Sequence, residues 1–231
     1  MEKAEVEESL RSLSAANTFL SEEEKIKRAI AEETEKTRLV TELETEISGH
    51  IVRLSSMIEQ LDSVAGQPKD TVVLCLLLCY VKRQSNLFFR EREADAMPIE
   101  ELAVYLDELA DIVSYADIKI IITSEIKKPI PVHKARLFYN FFYDTVDWAS
   151  NVRCPNVIVH LRAENGSVSM RFLPSADART FTPDEELSQA IAAEGGDITL
   201  TDYDDALGIS LSFPEGERAD RRQWRGEGGG R

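Results

Sequence analysis

No unbroken apolar run in this sequence reaches the length of a membrane span. The longest, residues 72–81 (VVLCLLLCYV), is about half of the ~20 residues a spanning helix needs. A buried helix is expected there, and no direct membrane insertion. Basic residues are also short, with 27 Lys and Arg against 42 Asp and Glu for a formal net charge of -15. Proteins that grip phosphate backbones or anionic lipid need a basic face. No long basic stripe occurs, so no nucleic-acid partner is expected. The opening residues, MEKAEVEESL, carry no apolar signal region, which points to a cytoplasmic location. Cysteine is scarce: Cys75, Cys79 and Cys154 have no framework spacing and suit a reducing compartment. Cys75 and Cys79 lie one helical turn apart in the apolar run, yet no nearby His or second Cys pair completes a metal site. They are expected to pack as buried, reduced thiols. P-loop and GxGxxG patterns are missing as well.

What is present begins with helix. Residues 1–25 are acidic and weakly periodic, a helical lead-in. From Ile26 a seam develops through Ile30, Val40, Ile47, Ile51, Leu54, Ile58 and Leu61, interrupted by Glu33, Thr37 and Glu44. Its three-four spacing and charged flanks predict a long helix that buries a stripe against other helices. The polar interruptions suit a parallel coiled coil. Ala65-Gly66-Gln67-Pro68 breaks the pattern, and Asp70 is placed as the N-cap of a second helix running to about residue 93. One hairpin cannot bury this much apolar surface alone, so a homodimer with a four-helix bundle is predicted for residues 26–95.

Pro98 opens a third helix, with acids in its first turn. The β-branched stretch 118–122 then reads as a strand, and 130–132 as a Pro-restricted connection. Residues 135–149 form an aromatic-rich helix whose Leu137, Phe138, Phe141, Phe142, Val146 and Trp148 are assigned to core packing. Residues 156–161 and 167–173 alternate as strands around an Asn165-Gly166 turn. A helix at 183–193 stops at Gly195-Gly196, and strands at 197–201 and 208–213 follow. The tail, 215–231, is polar, Gly-rich and expected to be disordered. The class is α+β: a long helical hairpin followed by a sandwich of helices on one face of a mixed sheet, spanning 96–214.

Three stretches resemble the core of bacterial sensor histidine kinases, where a dimerising hairpin precedes an ATPase domain of the gyrase and Hsp90 kind. In Thr45-Glu46-Ile47-Ser48-Gly49-His50, the ending Gly49-His50 matches a subgroup's His-Asp-x-x-Gly-His; Glu46 stands in for the acid and Thr45 for the phosphoacceptor histidine. The helix from Asn140 to Ala149 is similar to the family's Glu-x-x-x-Asn-Ala-x-Lys-His-Ala; Asn140 replaces the water-activating Glu, Asp144 the magnesium-binding Asn and Asp147 the Lys. The helix–Gly-Gly–strand passage at 190–200 resembles the family's ending.

The departures bear on chemistry. Phosphoryl transfer depends on positioning and charge neutralisation. Between Leu173 and Pro183 only PSADARTFT is present, and Asp177, at the place of the adenine-binding Asp, has no glycine near it. No Gly-rich lid follows. Asp144 and Asp147 are candidates to hold Mg²⁺, but two acids beside a triphosphate repel it unless a metal bridges them. His50 falls on another helix face than Thr45 and does not replace it; the plainer reading is a packed or hydrogen-bonded histidine. His133 and His160 have no triad partners. What the resemblance implies is therefore a pseudokinase: a dimeric adaptor in two-component signalling, without cofactor, partnered by a response regulator or an authentic histidine kinase. Two alternatives stand beside it. One is an active divergent kinase using ATP and Mg²⁺, and the other is a plain helical scaffold.

Overall fold

Five strands pair in the order β2-β4-β5-β7-β6. They are β2 (Lys119–Ser124), β4 (Asn156–Glu164), β5 (Ser167–Pro174), β6 (Asp197–Tyr203) and β7 (Ala206–Pro214). Strand β2 runs parallel to β4, with Lys119 opposite Asn156 and Ser124 opposite Leu161. The remaining pairs are antiparallel. The computed structural model describes residues 2–61, 68–164, 166–203 and 206–214. Of the expected break at residues 65–68, all but Pro68 lies outside these, as does the expected disordered tail, 215–231. The described chain falls into two units, Met1–Ile51 and Val52–Arg231.

The first unit is helix throughout, the leading part of α1 (Glu2–Leu61). Charged residues dominate it, and its surface pairs are local: Lys27 with Glu23 at 2.6 Å, and Arg38 with Glu35 and Glu42 at 2.6 and 3.1 Å. Such exposed one-turn pairs, screened by solvent, add little to stability. Of the seam in this unit, Ile26, Ile30, Val40 and Ile51 are exposed and Ile47 is half-buried.

The second unit carries the core. Alternation along β4 and β5 buries Val157, Val159, Leu161, Met170 and Phe172 on one sheet face, and β7 adds Ile209, Leu211 and Phe213. Strands of period two that hide one face need a helical layer to cover it. Three helices supply that layer: α3 (Ile99–Ser114), α4 (Val132–Asn151) and α5 (Glu185–Ala193). The aromatic residues of α4 do the packing assigned to them. Phe138 meets Phe213 edge-on at 5.2 Å between ring centres, and Phe141 and Phe142 flank Phe172. The class is α+β with a mixed sheet, as the sequence predicts.

Helix α2 (Pro68–Glu93) packs on α3 and α4. Leu76, Leu77, Tyr80, Leu87 and Phe88 are buried there, and Tyr80 stacks on Tyr143 at 3.9 Å. By length and composition the stretch Asp70–Glu93 is apolar enough to cross a membrane, but its apolar positions serve as a shared core. The helix begins at Pro68, so Asp70 lies in its first turn and is not the cap. Cys75 also corrects the sequence reading, because it is exposed while Cys79 is half-buried and Cys154 buried. One helical turn moves a side chain along a face of α2, and the rim of that face is already outside the core. A small antiparallel pair, β1 (Ala96–Met97) with β3 (Ile130–Pro131), ties the start of α3 to the start of α4. Residues 130–132 were expected only as a connection.

Candidate functional site

Helix α4 presents Asn140, Asp144 and Asp147 on one face, since steps of four and three residues return to the same side of a helix. The start of the second unit lies against this face. Arg53, near the end of α1, pairs with Asp147 (Nη2 to Oδ1, 3.2 Å) and donates to the Tyr143 hydroxyl at 3.4 Å. Leu54, the next residue, is buried in the core. Asp147 is thus held by a guanidinium of its own chain.

Asp144 is engaged from the other direction. Its Oδ2 accepts the backbone N–H of Asp184 at 3.2 Å. Asp184 is the N-cap of α5, its own Oδ1 accepting from Leu187 N–H at 3.0 Å, as caps of this type do. Burial is the main reason the Asp144 carboxyl is pushed up to about 6, with Asp184 and Asp147 adding like charge and Arg53 and the Asp184 N–H opposing.

Between β5 and α5 the chain crosses α4. A short 3-10 turn, Ala178–Thr180, lies in this crossing. Its Phe181 is buried edge-on against Phe141 and Trp148, at 5.8 and 5.7 Å between ring centres. The Trp148 indole donates to Thr180 Oγ1 at 3.1 Å. Apolar rings therefore cover α4 one helical turn to either side of Asp144. Asp177 caps the same turn by accepting from Arg179 N–H at 3.1 Å, and it is exposed. Asn140 is half-buried, and its Oδ1 is buried with no hydrogen-bond partner.

The structure thus brings Asn140, Asp144 and Asp147 onto one helix face and gives Asp177 a capping role. Among the described residues no three His, Cys, Asp or Glu side chains converge as metal ligands. The sequence reading missed Arg53, Asp184 and Phe181. Arg53 is distant in the chain and marked only by being a basic residue in a seam. Asp184 had a usable signal, Asp-Glu-Glu-Leu after a proline, which is an N-cap pattern.

In the first unit, Thr45 is exposed and donates its hydroxyl to the Thr41 carbonyl at 2.8 Å, one turn back. Glu46 is exposed and His50 half-buried, and both make interactions within the protein.

No protein-family model and no curated protein matches the sequence. Solved structures do. The histidine kinase domain of a blue-light-activated histidine kinase from Erythrobacter litoralis aligns with a TM-score of 0.46 at 14% identity, over 75% of this chain and 93% of that one. The intact Erythrobacter kinase aligns with a TM-score of 0.46 at 16% identity, over 77% of this chain; the chain spans 62% of its length. The Acinetobacter baumannii histidine kinase AdeS aligns with a TM-score of 0.41 at 9% identity, over 74% of this chain and 98% of that one.

Proposed function

We propose that the chain is a histidine-kinase-like signalling protein that has lost phosphoryl transfer and acts as a cytoplasmic, homodimeric adaptor. In this reading, residues 26–95 join two copies and 96–214 form a degenerate ATPase-like domain. The dimer offers a surface to a response regulator or an authentic histidine kinase.

The observation that carries the reading is how α4 is occupied. A nucleotide–metal site requires acidic side chains open to an incoming cation and phosphates. Asp147 is instead paired with Arg53, Asp144 accepts the Asp184 N–H, and Phe181 lies between Phe141 and Trp148. Thr45, at the acceptor's place, donates to its own helix. The exposed Ile26, Ile30 and Val40 of α1 support the dimer, because a long helix with an unburied seam gains from a second copy.

The test combines calorimetric titration with ATP and Mg²⁺, labelling by γ-labelled ATP and light scattering on one sample. The expected result is no binding heat, no label on the protein and a mass twice the chain's 26.0 kDa. Micromolar binding with self-labelling, both lost in Asp144→Ala, would replace this reading with a divergent kinase. A monomeric mass would remove the adaptor dimer.

A further inference from the structure

The five-stranded sheet ends in two edges of different character. Among the described residues, β6 pairs only with β7 and β2 only with β4. Natural proteins blunt such edges with charge, proline or bulges. β6 (DITLTDY) has an aspartate near each end and no basic residue, so two copies of it repel. β2 is less protected: it reads Lys-Ile-Ile-Ile-Thr-Ser, contains no proline and keeps a continuous register over six pairs.

The backbone of β2 fixes which groups face outward. Lys119 donates its N–H to the Pro155 carbonyl and Glu125 to the Leu161 carbonyl, each at 2.9 Å. Odd-numbered residues therefore bond to β4, and alternation turns the N–H and C=O groups of Ile120, Ile122 and Ser124 toward the open edge. Side chains alternate as well. Ile120 and Ile122 are half-buried on the side of the buried Ile118, while Lys119, Ile121, Thr123 and Glu125 are exposed on the other face. Asp117 and Lys127, just beyond the strand, are also exposed.

We propose that β2 pairs with β2 of a second copy, antiparallel about a two-fold axis at Ile122, and joins two sheets into one. Charge order is the first argument. About that axis Lys119 lies opposite the partner's Glu125, and Asp117 lies toward the partner's Lys127, each pair occurring twice by symmetry. Lys119 and the partner's Glu125 take a non-hydrogen-bonded position, where side chains approach most closely. Glu125 Oε2 also meets Arg162 Nε of its own chain at 3.2 Å, yet the side chain stays 66% exposed and open to the partner's lysine.

Hydrogen bonding is the second argument. The same axis sets Ile122 against the partner's Ile122 and Ile120 against the partner's Ser124, all with outward-facing groups, so each facing pair exchanges both N–H···O=C bonds. A slip by one residue puts outward groups against inward ones. A slip by two keeps the bonds but sets Glu125 against Asp117, or Lys119 against Lys127. One register alone satisfies charge and backbone together. Beside the edge, a cavity of about 300 Å³ lies between α3 and β2, with Ile118 and Ile120 on its apolar side and Asp111 and Asp117 on its rim. The partner's chain beyond Glu125, with Lys127 and Lys128, leads toward this rim. A self-complementary patch closes on two copies. This contact lies outside residues 26–95 and does not rest on the helical dimer proposed above.

Amide hydrogen exchange on the full chain tests this at Ile120, Ile122 and Ser124, with the amides of β5 and β7 as folding controls. The net charge of -15 opposes self-contact, so physiological salt is used, where the Debye length is about 8 Å. Protection at the three edge amides should rise about threefold or more between about 10 and 500 µM chain, by mass action. Lys119→Glu and Glu125→Lys should each abolish the rise by opposing like charges. An equimolar mixture of the two variants should restore it, since every cross-pair then joins Glu with Lys, and so should the double variant K119E/E125K. As a second measurement, Ile122→Cys in a Cys75→Ser background should form a covalent dimer under oxidised glutathione. Cα atoms facing each other across a hydrogen-bonded pair lie about 5.5 Å apart, within disulfide reach. Ile121→Cys should not cross-link, although position 121 is the more exposed. Edge protection independent of concentration, with controls intact, would overturn the proposal. So would a rise that survives Lys119→Glu, a mixture that restores nothing, or equal cross-linking at 121 and 122. A dimeric mass that persists in Lys119→Glu belongs to residues 26–95, so the two contacts fail separately.

Discussion

Helices α1 and α2 draw on the same apolar vocabulary and meet opposite fates. In α2, Leu76, Leu77, Leu87 and Phe88 are almost wholly buried, because α3 and α4 receive them. In the first unit, Ile26, Ile30 and Val40 are between 47% and 61% exposed. The lesson concerns what a seam means. A helix apolar on most of its surface is satisfied inside one chain here. A helix with a thin, interrupted seam has its apolar side chains unburied within its own unit, and its apolar surface is a potential contact rather than an existing one.

The sharpest way to break this contrast is to truncate one residue of each kind. Leu77→Ala removes a fully buried side chain and should cost about 2–5 kcal/mol of unfolding free energy. Ile30→Ala should leave the unfolding of the second unit within about 0.5 kcal/mol of the parent. Its effect should appear in the self-association constant measured by sedimentation. If both variants shifted thermal unfolding equally, the difference between the two helices would not be one of burial.

Much of the second unit was legible because its signals are local. The alternation in 156–161 and 167–173 and the aromatic spacing of α4 each name their own element. The acidic face was legible only as residue types. That Asp144 and Asp147 are answered by Asp184 and Arg53 depends on contacts across 40 and 94 residues, and no local pattern encodes those. Likewise, residues 72–81 announced burial but not the partner. The run predicted a hairpin core, and α2 lies against α3 and α4 because Tyr80 and Leu77 complete an aromatic and aliphatic cluster already built there.

Glycines sharpen the comparison at the level of single atoms. Gly196 is where α5 gives way to β6, and a Cβ on it would come within 2.4 Å of the Phe213 ring and 2.8 Å of Ile191 Cγ2. Both neighbours are buried core. Gly196→Ala should therefore cost about 1–3 kcal/mol, the usual range for overpacking, measurable by urea unfolding with the slope unchanged. A neutral result would mean that this end of the sheet is loosely packed.

Asp144 supplies a pH-dependent contrast within the second unit. Its carboxyl is raised to about 6 mainly by burial, so the folded protein binds this proton more tightly than the unfolded chain does. Stability from this group is full below about pH 4 and declines as pH rises through 6. Asp144→Asn keeps an acceptor for the Asp184 N–H and removes the buried charge. It should raise stability at pH 7.5 by about 1–2 kcal/mol and flatten the melting temperature between pH 4 and 7. A melting temperature that still fell across that range would assign the titration to another group. The effect should be smaller if Arg53 compensates more of the charge, and Arg53→Met in the Asp144→Asn background separates the two.

The smallest expected effect belongs to Gly49 in the first unit. A Cβ added there meets nothing within 4 Å, and the residue lies well inside the continuous helix α1. With no steric cost, the substitution acts through backbone entropy, since glycine in a helix interior is about 0.5–1 kcal/mol less favourable than alanine. Gly49→Ala should therefore stabilise α1, seen as a rise in helical circular dichroism on heating, while the cooperative melting of the sheet stays where it is. The same chemical change thus has opposite signs at positions 49 and 196. A loss of stability at both would mean that a close neighbour covers Gly49 in solution, and the second copy is the first candidate because position 49 lies in the seam-bearing helix.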